Sequence, residues 1–148
     1  MDASRLVGAT QAKVACAYRI AEVVDDRPAG DRVGGLGWHM FVLEDVVSIV
    51  RSQLLAAGMS EADGVPVQLR VLKMYLSQSV VTKIPVVVYK VAIDGQPPIL
   101  VRSQRSTMNW NGTENEAYAA YAMAMQDATG QVVRQLNRAC DQASASRG

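Results

Sequence analysis

VQLRVLKMYLSQSVVTKIPVVVYKVAIDG, residues 67–95, decides the fold. Its first part, Val67 to Ser77, puts Val67, Leu69 and Val71 on one side and Gln68 and Arg70 on the other, the period-two alternation of a half-buried strand. Leu72, Met74 and Leu76 then move apolar weight to the second face, which predicts a bulge, a bend or a buried far end. Its second part, Lys83 to Ile93, is dense in β-branched residues, and Pro85 stands near the start, where a missing N–H does least harm. Asp94-Gly95 is a strong hairpin signal. It leads through Pro97-Pro98 into a third strand over 99–108, antiparallel to the second.

Upstream, Val14, Cys16, Tyr18 and Ile20 alternate with Lys13, Ala15, Ala17 and Arg19, which predicts a first strand from Lys13 that ends in Asp25-Asp26-Arg27-Pro28. Residues 29–37 read as a loop on composition alone. Leu43 to Ala57 has helical spacing, with Val46, Ile49, Val50, Leu54 and Ala57 in one stripe, Glu44 and Asp45 in the first turn and Gly58 just past the end. Thr113-x-x-Glu116 fits a capping box opening a long final helix. Its stripe Ala117, Tyr121, Ala124, Ala128, Val132, Leu136 and Ala139 runs to about Cys140. The order is β-α-β-β-β-α. It predicts an α+β domain over 13–141, between a flexible lead-in at 1–12 and a disordered tail at 142–148. Each helix has one apolar stripe, so both pack on one face of a mostly antiparallel four-stranded sheet.

The chain has 148 residues, 49% of them hydrophobic, enough for one domain with its own core. Lys and Arg number 15 against 14 Asp and Glu, a balance that speaks against a domain built to grip nucleic acid. A single histidine, His39, and two cysteines are too few for a multi-ligand zinc site, and no cofactor or metal is expected. Cys16 and Cys140 read either as two buried free thiols or as a disulfide tying the first strand to the last helix. The opening residues, Met1 to Leu6, hold no apolar run of signal-peptide length. Taken literally that places the chain in the cytoplasm, although a removed leader leaves the same start.

The chemistry-bearing residues form no constellation. The glycines from Gly30 to Gly37 lack the Gly-Lys-Ser/Thr ending of a P-loop and the spacing of a dinucleotide fold. Asp25 and Asp26 are neighbours in a strand, so they point to opposite faces and make a poor acid–base pair; Asp26-Arg27-Pro28 as a strand-ending turn with a local ion pair is the simpler reading. His39 beside Met40 suggests copper only weakly, because the methionines are spread through core positions, and neither cysteine sits where a helix N-terminus would activate it for a pair with His39. Asn111-Gly112-Thr113 is a glycosylation sequon that doubles as turn and cap. The remaining candidate is a mixed sheet face carrying Arg70, Leu72, Met74, Val86, Val88, Lys90 and Arg102. Such a face is covered by a protein partner or a second copy.

These pieces resemble YajG-type bacterial lipoproteins: a long first strand closing on Asp26-Arg27 or, in the other register, Asp25-x-Arg27; a glycine-bearing loop; the helix LEDVVSIVRSQLLAAG; the strands VQLRVLKMYL and VVVYKVAIDG; and the final helix ENEAYAAYAMAMQDATGQVVRQL. The likeness covers residues 13–137 and lies in pattern and order. A poorer match is to the lipoprotein that assists lipopolysaccharide assembly. The lipobox cysteine of such lipoproteins is missing, since Cys16 stands inside the strand. The resemblance implies an anticodon-binding-domain-like α+β fold, a periplasmic address with a membrane tether outside this sequence, and a non-enzymatic role that works by binding an envelope protein or by self-association. The competing expectation is a small cytoplasmic ligand-binding protein or enzyme. It would be dimeric through the same face, with His39, Asp25 or Asp26 and Arg102 gathered in a pocket. A smaller one is binding of anionic lipid by the sheet arginines: Arg70, Lys73, Lys90, Arg102 and Arg105 are candidates to cluster on the sheet, with acidic headgroups or single-stranded nucleic acid as ligands, against the plainer reading of a solvated sheet edge.

Overall fold

The computed structural model describes residues 13–27, 32–36, 39–42, 46–78, 82–103, 107–108 and 114–147, the backbone alone at 32–36, 39–42, 76–78, 82–84, 107–108, 114–120, 122 and 143–147. Thr113, Glu44, Asp45 and the sequon lie outside the described residues. The elements are β1 (Tyr18–Asp25), β2 (Arg32–Leu36), β3 (His39–Val42), α1 (Val46–Ala56), β4 (Val65–Gln78), β5 (Thr82–Ile93), β6 (Ile99–Arg102), β7 (Thr107–Met108) and α2 (Glu114–Arg147). The main sheet has the order β1-β4-β5-β6, with β7 alongside β5. β1 and β4 are parallel and the other pairs antiparallel. This is the α+β class the sequence predicts, with both helices on one face: Ile49 and Leu54 of α1 and Tyr121, Met125, Val132 and Leu136 of α2 share one core with Ile20, Leu69, Val71, Tyr89 and Val91 of the sheet.

Two bulges set which residues face that core. In β1 the register slips between Ile20 and Glu22, so the buried positions pass from Tyr18 and Ile20 to Val23. In β4 it slips between Val71 and Lys73, so the buried positions pass from Val67, Leu69 and Val71 to Met74. A bulge sets two residues against one on the partner strand and resets the alternation by one. This is the change of face that Leu72 signals.

Helix α1 ends in a Schellman motif. The Met59 amide donates to the Leu54 carbonyl at 3.2 Å and the Gly58 amide to that of Leu55 at 3.0 Å, while Gly58 takes φ 99°, the left-handed region where a Cβ is costly. Between α1 and α2, buried Thr129 donates to buried Gln53 at 2.7 Å, so the polar residue inside the apolar stripe of α1 is satisfied across the helix pair.

Four sequence expectations need correction. The first strand begins at Tyr18, not Lys13. The segment before it is instead held by α1 and α2: the Val14 amide donates to the Ala57 carbonyl, and the Asn137 amide group spans the Lys13 carbonyl and the Ala15 amide. Residues 32–36 are strand, not loop; β2 pairs antiparallel with β3 and lies against β4. Glycine backbones satisfy a ladder without leaving a side-chain pattern to read. The third strand is split into β6 and β7, both on one edge of β5. Finally, helical backbone runs to Arg147, past the Asp141 end of the domain reading and into the stretch read as a disordered tail. Propagating a formed helix through Gln, Ala and Ser costs little.

Candidate functional site

The face of the main sheet opposite the helices is built from β1, β4, β5 and β6. Strand pairing fixes its rows: Glu22, Gln68 and Ala92; then Val24, Arg70, Lys90 and Leu100; then Lys73, Val88 and Arg102. Lys73, Lys90 and Arg102 are exposed, and Leu72, Val88 and Ala92 are half-buried between them. Leu100 is 67% exposed. At the Asp94-Gly95 turn the face runs into an open groove of about 260 Å³ lined by Pro66, Gln68, Ala92 and Asp94 among others.

Two of the seven residues expected on this face are not available there. Met74 is 1% exposed and belongs to the helix-side core, because the bulge before Lys73 turns it inward. Val86 is 0% exposed and lies outside that core. Pro85, Val86 and Val87 are buried in succession, which in a strand requires cover on both faces at this end of the sheet. Arg70, Leu72, Val88, Lys90 and Arg102 stay on the face. Lys73, one of the cations expected to cluster on the sheet, joins them, while Arg105 of that cluster lies outside the described residues; Leu100 and Tyr75 (37% exposed) join them too, which the expected set did not include, although Leu100 becomes legible once the β5–β6 register is known.

The acidic end of β1 is committed to arginines. Arg27, with only 5% of its side chain exposed, donates two side-chain hydrogen bonds to the Asp25 carboxylate at 2.9 and 2.8 Å. Burial alone would raise the Asp25 carboxyl, but the Arg27 side-chain and backbone hydrogen bonds and its charge hold it below the usual carboxylate range. Asp26 instead reaches Arg70 at 3.0 Å across the strands, and that bond and charge raise the Arg70 guanidinium further. The local ion pair is thus Asp25-x-Arg27 and not the Asp26-Arg27 expected from the sequence, because Asp26 is taken by Arg70; it matches the second of the two registers. Deeper in, burial pushes the phenols of Tyr18 and Tyr89 above the ordinary tyrosine value.

The pocket that the enzyme expectation requires does not assemble. β1 and β6 stand at opposite edges of the four-strand order, three spacings or about 14 Å apart, so Asp25 and Asp26 do not meet Arg102. His39 lies on β3 by backbone only, and its side chain is outside the described residues. Among the described residues no group of three or more His, Cys, Asp and Glu could hold a metal ion. Among the described residues no helix is long and apolar enough to cross a membrane.

Cys16 and Cys140 are joined in a disulfide with their Cα atoms 6.1 Å apart. It fastens the segment before β1 to α2, next to the Asn137 contacts and to Tyr18, whose hydroxyl donates to the Leu136 carbonyl at 2.7 Å.

No protein-family model matches the chain, and no curated protein matches it. Among solved structures the chain is similar to a minor lipoprotein from Acinetobacter baumannii, with 15% identity, a TM-score of 0.46, and coverage of 80% of this chain and 94% of that one.

Proposed function

We propose that this chain is a non-enzymatic binding domain of the periplasm, tethered to a membrane in the manner the YajG-type resemblance implies, and that it works by holding a partner protein on the sheet face opposite its helices. The observation that carries this reading is the face itself. Three cations, Lys73, Lys90 and Arg102, stand exposed without an ion pair among the described residues, around half-buried Val88 and exposed Leu100. Such a surface is poorly solvated at its apolar positions and gains from being covered. The address is supported separately by the Cys16–Cys140 disulfide, because such bonds form and persist in oxidising compartments and are rare in the cytosol.

The test is cross-linking in intact cells from a photoreactive residue placed at Val88 or Leu100. A position on the outward side of α2, Met123, is the control. Discrete adducts from the two sheet positions and none from Met123 support the reading; no adduct from either sheet position overturns it. Acid-quenched alkylation of the same cells reads the address. Cys16 and Cys140 should resist alkylation until reduced, and free thiols in the cell would remove the periplasmic assignment.

A further inference from the structure

The sheet register sets like charges side by side. Arg70 lies directly opposite Lys90, while Lys73 pairs with Val88, which pairs in turn with Arg102. Lys90 therefore has one cation across the strand and two more diagonally on the same face. Directly opposed side chains stand about 5 Å apart at Cβ and diagonal neighbours about 7–8 Å apart, within reach of long side chains, and like charges so placed destabilise a sheet. Arg70 is offset by Asp26 and, through its charge, by Glu22. Lys73, Lys90 and Arg102 make no salt bridge with a carboxylate among the described residues. Repulsion of this kind is relieved by an anionic partner.

Resting on the binding reading above, we infer that the face docks an acidic segment of a partner protein. Its carboxylates meet Lys73, Lys90 and Arg102, and its apolar side chains cover Val88 and Leu100. The shape favours a chain segment over a flat membrane surface. At one end the face is stepped, since Val86, on the same side of β5 as Val88, is completely covered. At the other end it sinks into the groove beside Gln68 and Ala92. A strip between a step and a groove accepts an extended or helical segment lying along it, whereas a lipid layer meets only what projects. Asp94 lines the groove and so orients the segment, with its most acidic part toward Arg102. A second copy of this chain, docked face to face, would set the same cations against one another.

The experiment uses the full disulfide-bonded chain and a labelled peptide in which glutamate alternates with alanine. The same peptide with glutamine, and vesicles of phosphatidylglycerol, are the comparisons. The glutamate peptide should bind and the glutamine peptide should not. Binding should weaken severalfold between about 50 and about 300 mM salt, as screening requires. Lys90→Glu should weaken it about tenfold, and Arg138→Glu on exposed α2 should leave it unchanged. Lack of glutamate-peptide binding, indifference to Lys90→Glu, or binding confined to the vesicles overturns the inference. Cross-links from Val88 or Leu100 to a partner segment poor in Asp and Glu would refute the acidic partner while leaving the binding face intact. Loss of both cross-links and peptide binding removes both.

Discussion

Opening the Cys16–Cys140 bond, by reductant or by replacing both cysteines with alanine, should lower stability by several kcal/mol without unfolding the chain. The bond closes a loop across 124 residues of sequence. The loop-entropy relation gives about 5 kcal/mol for a closure of that length, and measured values reach 2–4 kcal/mol more often than the full figure. In the folded state little changes on reduction. The Val14 amide still donates to Ala57, Asn137 still holds Lys13 and Ala15, and Tyr18 still reaches Leu136. The effect therefore lies in the unfolded ensemble, which gains the freedom of most of the chain. A domain of this size has about 5–15 kcal/mol of total stability, so the reduced form stays folded. Urea titration of oxidised and reduced protein reads the difference. With a slope of about 1–3 kcal/mol per molar, the midpoint should fall by roughly 1–3 M, and the slope should rise because the open chain exposes more surface. A midpoint shift below about 0.5 M at unchanged slope would refute the reasoning, since it would mean that the bond does not restrict the unfolded chain.

Four further substitutions test the fold that presents the face. Gly64→Ala should cost about 3 kcal/mol or more and Gly95→Ala about 1 kcal/mol, by urea midpoint: both glycines have positive φ, but a Cβ at Gly64 would meet the Ala17 carbonyl at 2.7 Å while one at Gly95 meets nothing within 4 Å. Met74→Ala should cost about 2–5 kcal/mol, as for a core side chain; a loss under 0.5 kcal/mol would return Met74 to the outer face and deny the bulge. Asp25 contributes acid-sensitive stability. Its folded carboxyl lies below the unfolded value of about 3.9, so its contribution is present above that pH and is lost as pH falls through the lower, folded value. The melting temperature of Asp25→Asn should therefore lie below that of the parent at pH 6, with the gap narrowing toward pH 3; a gap independent of pH would show that the Arg27 contact does not carry the effect.

What the sequence shows of this fold follows from where side chains carry the signal. Ile49, Val50 and Leu54 recur at helical spacing, and Val67, Leu69 and Val71 alternate, so α1 and the first half of β4 are plain. Leu72 marks a change of face, but it does not say how many residues the change consumes. Reading Leu72, Met74 and Leu76 as one continued alternation sends Met74 outward, whereas the bulge absorbs one residue and returns it to the core. Pro85 to Val88 contains no polar residue, so its pattern cannot say that cover on both faces ends between Val86 and Val88. β2 contains Gly34 and Gly35, whose hydrogen bonding needs no side chain, and its composition matches a loop equally well. The disulfide joins residues whose distance in sequence carries no information on their distance in space. The candidate face is partly visible for the same reasons: Arg70, Val88, Lys90 and Arg102 follow from alternation, whereas only the bulge brings the last cation of the expected cluster, Lys73, onto their face.

That last residue ties the fold to the proposed function, and a deletion isolates it. Across the β4 bulge, Val71 pairs with Tyr89 and Lys73 with Val88, so Leu72 is the extra residue that the partner strand does not match. Removing Leu72 leaves Val71 and Lys73 consecutive against Tyr89 and Val88, which is a regular antiparallel register. Met74 then still points to the core opposite Val87, and Lys73 still points outward beside Arg102. A deletion inside a strand ordinarily flips every following side chain to the wrong face. Here it should cost only the half-buried leucine and the local twist, about 1–2 kcal/mol. Urea titration of the Leu72 deletion and of a Leu69 deletion separates the cases. The first should remain folded and retain binding of the glutamate peptide. The second should lose several kcal/mol, because it shifts Arg70 and Val71 out of register with Lys90 and Tyr89. An unfolded Leu72 deletion would mean that the bulge itself, and not the register it resets, holds the face together. The placement of Lys73 would then be a by-product of strain rather than a feature of the binding surface.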